Sequence, residues 1–246
     1  MNEEILLTVN GQKLRGVLEN KEGKHLVVLV HGFTGNWEGA KHILLNLSKR
    51  LQAEGFAVIR FSCRGTFPSE GMFKEMTVVR EVEDLNAILA YARAQGYEHI
   101  HLLGESMGGA LITLAYDETI SSMTYWYAAF DFPDTDFASK ITDDVHALAA
   151  KQGWVPYKSW QLGREFIESI NQYVLYDELK KIKCPTIILH GDADEEVPVA
   201  QAQKAFDLLQ SKKEIHILKG ADHCFRNGQE KAIDLTVQFL LQTRLQ

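Results

Sequence analysis

Gly104-Glu105-Ser106-Met107-Gly108-Gly109 decides the reading of this chain. Before it, residues 100–103 (Ile, His, Leu, Leu) are short and apolar, as a buried strand is. After it, residues 110–116 suit a packed helix. Ser106 therefore falls on a strand-to-helix turn, inside Gly-x-Ser-x-Gly. Glycines two before and two after it leave no Cβ to clash, so the backbone can bend sharply and push the hydroxyl outward. A serine hydroxyl is a poor nucleophile until a base takes its proton, so the pattern calls for a histidine and a carboxylate elsewhere. The motif alone is common, and small residues at such a turn also serve plain strand–helix packing. The surrounding chain has to decide.

Working outward, residues 5–9 and 14–18 read as an antiparallel hairpin turning at Gly11-Gln12. Leu26 to Val30 is a continuous apolar run, as in a strand covered on both faces, and it ends in His31-Gly32-Phe33. The pattern predicts a helix from Ala40 to Glu54, a strand over 56–61, a loop over 63–71, and a helix capped by Thr77 and running to about Gln95. Beyond the elbow it predicts strands over 122–129, 185–190 and 214–218, and helices over 199–209 and 229–241. Strands alternating with helices give an α/β fold: a mostly parallel sheet with helices on both faces.

Residues 130–176 break this rhythm, being far longer than one crossover needs. Nine of the chain's 24 aromatics lie in residues 129–176. We read 130–176 as a cap inserted into a core made of 1–129 and 177–246. A packing layer with no role toward substrate is the competing reading.

Ligands of open α/β sheets bind where strands deliver their C-terminal ends. The loops after Val30, Leu103, Leu189 and Leu218 carry His31-Gly32-Phe33, Ser106, Asp192/Asp194 and Asp222/His223. Serine, acid and histidine thus meet at one sheet edge in the order Ser…Asp…His, that of α/β-hydrolases. His223, on the loop after the last strand, is the expected base. Asp194 is the expected acid rather than Asp192: two residues further out, it can reach the far imidazole nitrogen, whereas Asp192 can cap its own turn. His31 and His190 precede glycines at strand ends, where bracing a loop is their expected task. Met107, opening the helix after the nucleophile, supplies one oxyanion N–H, and Phe33 is the natural second.

A formal charge of −7 argues against nucleic acid as a partner. No apolar run approaches the roughly 18 residues of a membrane helix. The start, Met1-Asn2-Glu3-Glu4, has neither a basic nor an apolar leader region, so a cytoplasmic location with no membrane association is expected. Cys63, Cys184 and Cys224 are few and widely spaced, which suits reduced thiols and makes no metal site. No cofactor is expected. A homodimer is an allowed assembly.

These residues resemble the α/β-hydrolase superfamily over nearly the whole chain. The matching stretches are His31-Gly32-Phe33, the elbow around Ser106, His190-Gly191 with Asp194, Val197 and Pro198, and Gly220 with Asp222-His223. Within it, the chain looks most like bacterial cinnamoyl (feruloyl) esterases. The stretches 31–35, Arg60-Phe61, 73–77, the helix carrying Glu81 and Asp84, and 221–225 carry that likeness. The resemblance implies a serine carboxylesterase acting on a small-molecule ester through an acyl-enzyme, with the cap receiving the acyl or aryl part. The segment 62–68 departs from the commoner pattern. So does Phe166, where a substrate-binding tyrosine is expected; Asp134 or Asp136 would be the cap acid. Trp160 and Phe166 are the expected pocket wall, with Asp136 beside them. Aryl and short-chain esters are the expected substrates, with cinnamoyl esters included if the cap can bind a ring hydroxyl. A thioesterase, peptidase or lipase of the same fold, or a ligand-binding protein on this scaffold, are the alternatives.

Overall fold

The run Leu26 to Val30 is buried on every residue, because it runs through the middle of a sheet with helices on both faces. The structure is a computed structural model and describes residues 2–245. In chain order the elements begin with β1 (Glu3–Val9), β2 (Gln12–Glu19), β3 (His25–Val30), α1 (Ile43–Ala53), β4 (Ala57–Ser62), α2 (Val78–Ala94), β5 (His99–Glu105), α3 (Met107–Leu114) and β6 (Ile120–Trp126). The insert follows, with α4 (Asp136–Ser139), α5 (Asp143–Gln152), β7 (Trp154–Tyr157), β8 (Trp160–Gly163), α6 (Arg164–Ser169) and α7 (Tyr176–Leu179). The core then resumes with β9 (Thr186–Gly191), α8 (Val199–Leu208), β10 (Lys213–Leu218) and α9 (Gln229–Thr243).

The main sheet has the order β1-β2-β4-β3-β5-β6-β9-β10. β1 pairs antiparallel with β2, and β2 with β4; every other pairing is parallel. The parallel strands therefore deliver the ends of β3, β5, β9 and β10 to one edge. Two apolar layers flank the sheet. One sets α2 and α3 against Val28, Val30 and Leu102; the other sets α1 and α9 against Val27, Leu29 and Leu103. This alternation of neighbouring residues between layers is what a two-sided strand dictates.

Two expectations shift. The helix predicted from Ala40 begins with a single 3-10 turn, and α1 proper starts at Ile43, because Lys41 and His42 adopt left-handed backbone angles. The strand predicted over 122–129 stops at Trp126, where Tyr127 turns out of the sheet with φ 37°. The insert between β6 and β9 carries its own two-stranded antiparallel sheet, β7-β8. The boundary expected at residue 176 falls on the first residue of α7.

Candidate active site

Ser106 sits between β5 and α3 with φ 51° and ψ −120°, a strained conformation for a residue with a side chain. The neighbouring glycines make it attainable. A Cβ on Gly104 would lie 2.3 Å from the Gly108 carbonyl oxygen, and one on Gly108 would lie 2.4 Å from that of Val30. The Ser106 N–H donates to the Trp126 carbonyl at 2.9 Å, which ties the turn to β6.

The loops after β9 and β10 supply the expected partners. His223 Nε2 lies 3.0 Å from Ser106 Oγ, and its Nδ1 lies 2.8 Å from Asp194 Oδ2. The Asp194 carboxylate is fully buried; its Oδ1 accepts from the Glu196 and Val197 N–H groups, both at 2.9 Å, and His190 Nε2 stands 3.2 Å from its Oδ2. Burial alone would raise the Asp194 pKa. Hydrogen bonds from His190 and His223, the His223 charge and the Val197 N–H outweigh it, holding the carboxyl well below the ordinary carboxylate range. Asp192 does something else: its Oδ1 accepts from the Gly220 N–H at 2.6 Å and joins the two loops.

His31 and His190 are bracing groups. His31 Nδ1 donates to the Gly32 carbonyl at 2.8 Å and its Nε2 accepts from the Cys63 N–H at 3.0 Å. Its burial pushes the imidazole pKa down to about 4. His190 Nε2 reaches the Val197 carbonyl at 3.0 Å as well as Asp194.

Met107 is the first residue of α3, so its N–H has no acceptor within the helix and lies beside the nucleophile. Phe33 lines the space on both sides of Ser106. On one side is a polar cleft of about 310 Å³ that reaches Asn36, Glu105, Lys158, Glu196 and Cys224. On the other is a small apolar cavity of about 60 Å³, walled by Met107, Phe132, Phe137, Tyr157, Phe166 and Ile170.

Of the three expected cap residues, only Phe166 faces this space. Trp160 does not line either cavity. Its ring packs 4.4 Å from that of Phe73, since it opens β8 and β8 lies against the 3-10 turn at Phe73–Glu75. Asp136 also stands outside both: at the start of α4 its carboxylate turns outward and pairs with Lys140 one helical turn on.

Sequence reasoning missed Glu105, Tyr127, Phe137 and Tyr157. Glu105 is buried beside the nucleophile, accepts from the Tyr127 hydroxyl at 2.5 Å, and lies 3.4 Å from the Gly32 N–H. Burial raises its pKa, against the pull of Tyr127 and Gly32. Its signal was its place inside the elbow motif. The two cap rings had none beyond being aromatic.

Sheet order, elbow and the meeting of Ser106, His223 and Asp194 at one edge define an α/β-hydrolase. The chain belongs to the prolyl oligopeptidase family, whose pattern matches residues 47–243. Among curated proteins it is similar to the mitochondrial palmitoyl-protein thioesterase ABHD10 of Rattus norvegicus, 26% identical over 80% of this chain and 68% of that one. It is also similar to the serine hydrolase BPHL of Homo sapiens, 29% identical over 78% and 70%. Among solved structures it resembles Est1E from Butyrivibrio proteoclasticus with bound ferulic acid, with TM-score 0.83, 20% identity, and coverage of 98% and 100%.

Proposed function

We propose that this protein is a serine carboxylesterase for aryl and short-chain carboxylic esters. The observation that carries this reading is the continuous hydrogen-bonded row Ser106–His223–Asp194, placed between an apolar cavity and a polar cleft. Ser106 Oγ attacks the ester carbonyl while His223 Nε2 takes its proton. Asp194 holds the imidazole in the Nδ1–H tautomer and stabilises the imidazolium without taking the proton. The Met107 and Phe33 N–H groups receive the oxyanion, each worth about 3 kcal/mol in the transition state. His223 then protonates the leaving alcohol, and water repeats the sequence on the acyl-enzyme. The acyl group sits against Phe166 in the apolar cavity, and the alcohol leaves through the polar cleft.

The two cap positions expected to bind a ring hydroxyl do not do so, while Thr135, Tyr157 and Glu196 line the apolar cavity. Phe166 offers no hydroxyl, and the Asp136 carboxylate is directed away. Thioester hydrolysis is the second reading, favoured by the activity named for the ABHD10 relatives. A substrate panel tests both: p-nitrophenyl esters, methyl ferulate, acyl thioesters and aminoacyl amides. We expect kcat/KM to be higher on oxygen esters than on thioesters or amides, with Ser106 labelled by a fluorophosphonate. A preference for thioesters moves the assignment to the second reading; turnover of amides alone overturns both.

A further inference from the structure

The apolar cavity beside Ser106 is small, about 60 Å³, and Phe137 and Tyr157 are among the residues that line it. The same two rings form one wall of a second, larger hollow of about 340 Å³ on the cap surface. That hollow is lined by Ile141, Val145, Leu148, Val155 and Leu162, and Lys140 is its one charged residue. Leu148 is 39% exposed there. A concave apolar surface left open to water marks a binding site.

Phe137 and Tyr157 are the two residues that line both hollows. They meet edge to face, with centroids 5.3 Å apart, and both are only partly buried. Phe137 lies on the four-residue α4, and Tyr157 ends the four-residue β7. Neither element belongs to the main sheet, so turning either ring leaves the sheet and the Ser106 row in place.

We propose that this groove is a distal acyl subsite, reached from Ser106 between Phe137 and Tyr157, and that it takes unbranched acyl chains of medium length. The proposal rests on the hydrolase reading given above and extends it to a substrate class. A short acyl group fills the inner cavity alone. A longer one parts the two rings and lays its outer methylenes against Val145 and Leu148. Each methylene so placed raises kcat/KM by about two- to fourfold, the scale of moving one CH₂ out of water.

The test is a series of p-nitrophenyl esters from acetate to decanoate, read as the ratio of kcat/KM for decanoate to that for acetate. The wild type should rise again beyond butyrate. Val145→Trp fills the groove far from Ser106 and should lower the ratio tenfold or more. Leu148→Asp puts a charge in the groove at a position already open to water, where folding tolerates it, and should lower the ratio severalfold. Tyr157→Ala removes half the wall and should raise it. A ratio unchanged in both Val145→Trp and Leu148→Asp overturns the subsite. So does a self-association that Leu148→Asp abolishes while the ratio stays fixed, since the groove then belongs to a second copy of the chain. Failure of the underlying hydrolase reading looks different: the wild type would neither turn over acetate nor react with a fluorophosphonate.

Discussion

At the scale of single residues, the proposed chemistry depends on three side chains from three loops. Ser106→Ala should reduce ester turnover to below about a thousandth of wild type, the level that oxyanion stabilisation and binding alone sustain, with the melting temperature unchanged. Retention of more than that by a folded variant would contradict the assignment. His223→Ala should be nearly as severe. Asp194→Asn should be less so, because the imidazole stays in place in the wrong tautomer. Asp192→Asn should do little, since its carboxylate joins two loops and does not touch His223. Reversed effects of the two Asn variants would move the acid to Asp192. The meeting of Ser106, His223 and Asp194 was legible because sheet order fixes which loops come together. That Trp160 and Asp136 line neither cavity was not legible, because nothing in residue spacing tells which way a short cap element turns its side chains.

At the scale of elements, two buried histidines make stability depend on pH: His31 under the site, and His101 near the start of β5, where it meets His25 and Ser122. Burial lowers the pKa of His31 to about 4 and that of His101 to about 3, both below the unfolded value of about 6.5. A depressed folded value favours the native state above the unfolded pKa, and this contribution is lost as pH falls from about 6.5 toward 4 and 3. Buried Glu81, Asp84 and Glu105, whose pKa values are raised, act in the opposite direction over the same range. The melting temperature should therefore fall less, or rise more, between pH 6.5 and pH 4 in His101→Asn than in the wild type, and identical profiles would contradict the histidine contribution. The cap rings separate in the same way. Phe166→Ala empties the inner cavity wall and should lower both kcat/KM on aryl esters and stability, the latter by about 3–5 kcal/mol. Trp160→Ala should lower stability while leaving the ratio of aryl to acetyl ester activity as it was, because its ring packs on Phe73 outside both cavities.

At the scale of the whole molecule, the chain divides into a deeply packed sheet and a thinner cap. β3 is buried on five of its six residues, whereas α4 has no buried residue and α5 only Ala149. Hydrogen exchange should read this difference: amides of β3, β5 and β6 should exchange last, through global unfolding, and those of α4 and α5 well before. Equal protection in both would mean that the cap is part of one cooperative unit. The sheet was legible because buried parallel strands are apolar on both faces and helices announce themselves by period. The turn-out at Tyr127 and the left-handed pair Lys41-His42 were not, since tertiary contacts, rather than local preference, hold those angles. No helix among the described residues is long and apolar enough to cross a membrane.

Phe33 joins the two halves of the molecule. Its backbone belongs to the loop after β3, and its ring stacks on Phe166 at 5.4 Å while also meeting Phe73, Phe137 and Tyr157 within 6 Å. The amide proposed to stabilise the oxyanion and the ring proposed to meet the acyl group thus belong to one residue. On that proposal, an acyl chain that seats well keeps the ring packed and the amide steady, whereas one that displaces the ring loosens the loop that carries the amide. Selection among substrates is then expressed in turnover more than in affinity, so poor substrates bind nearly as well as good ones and compete as inhibitors.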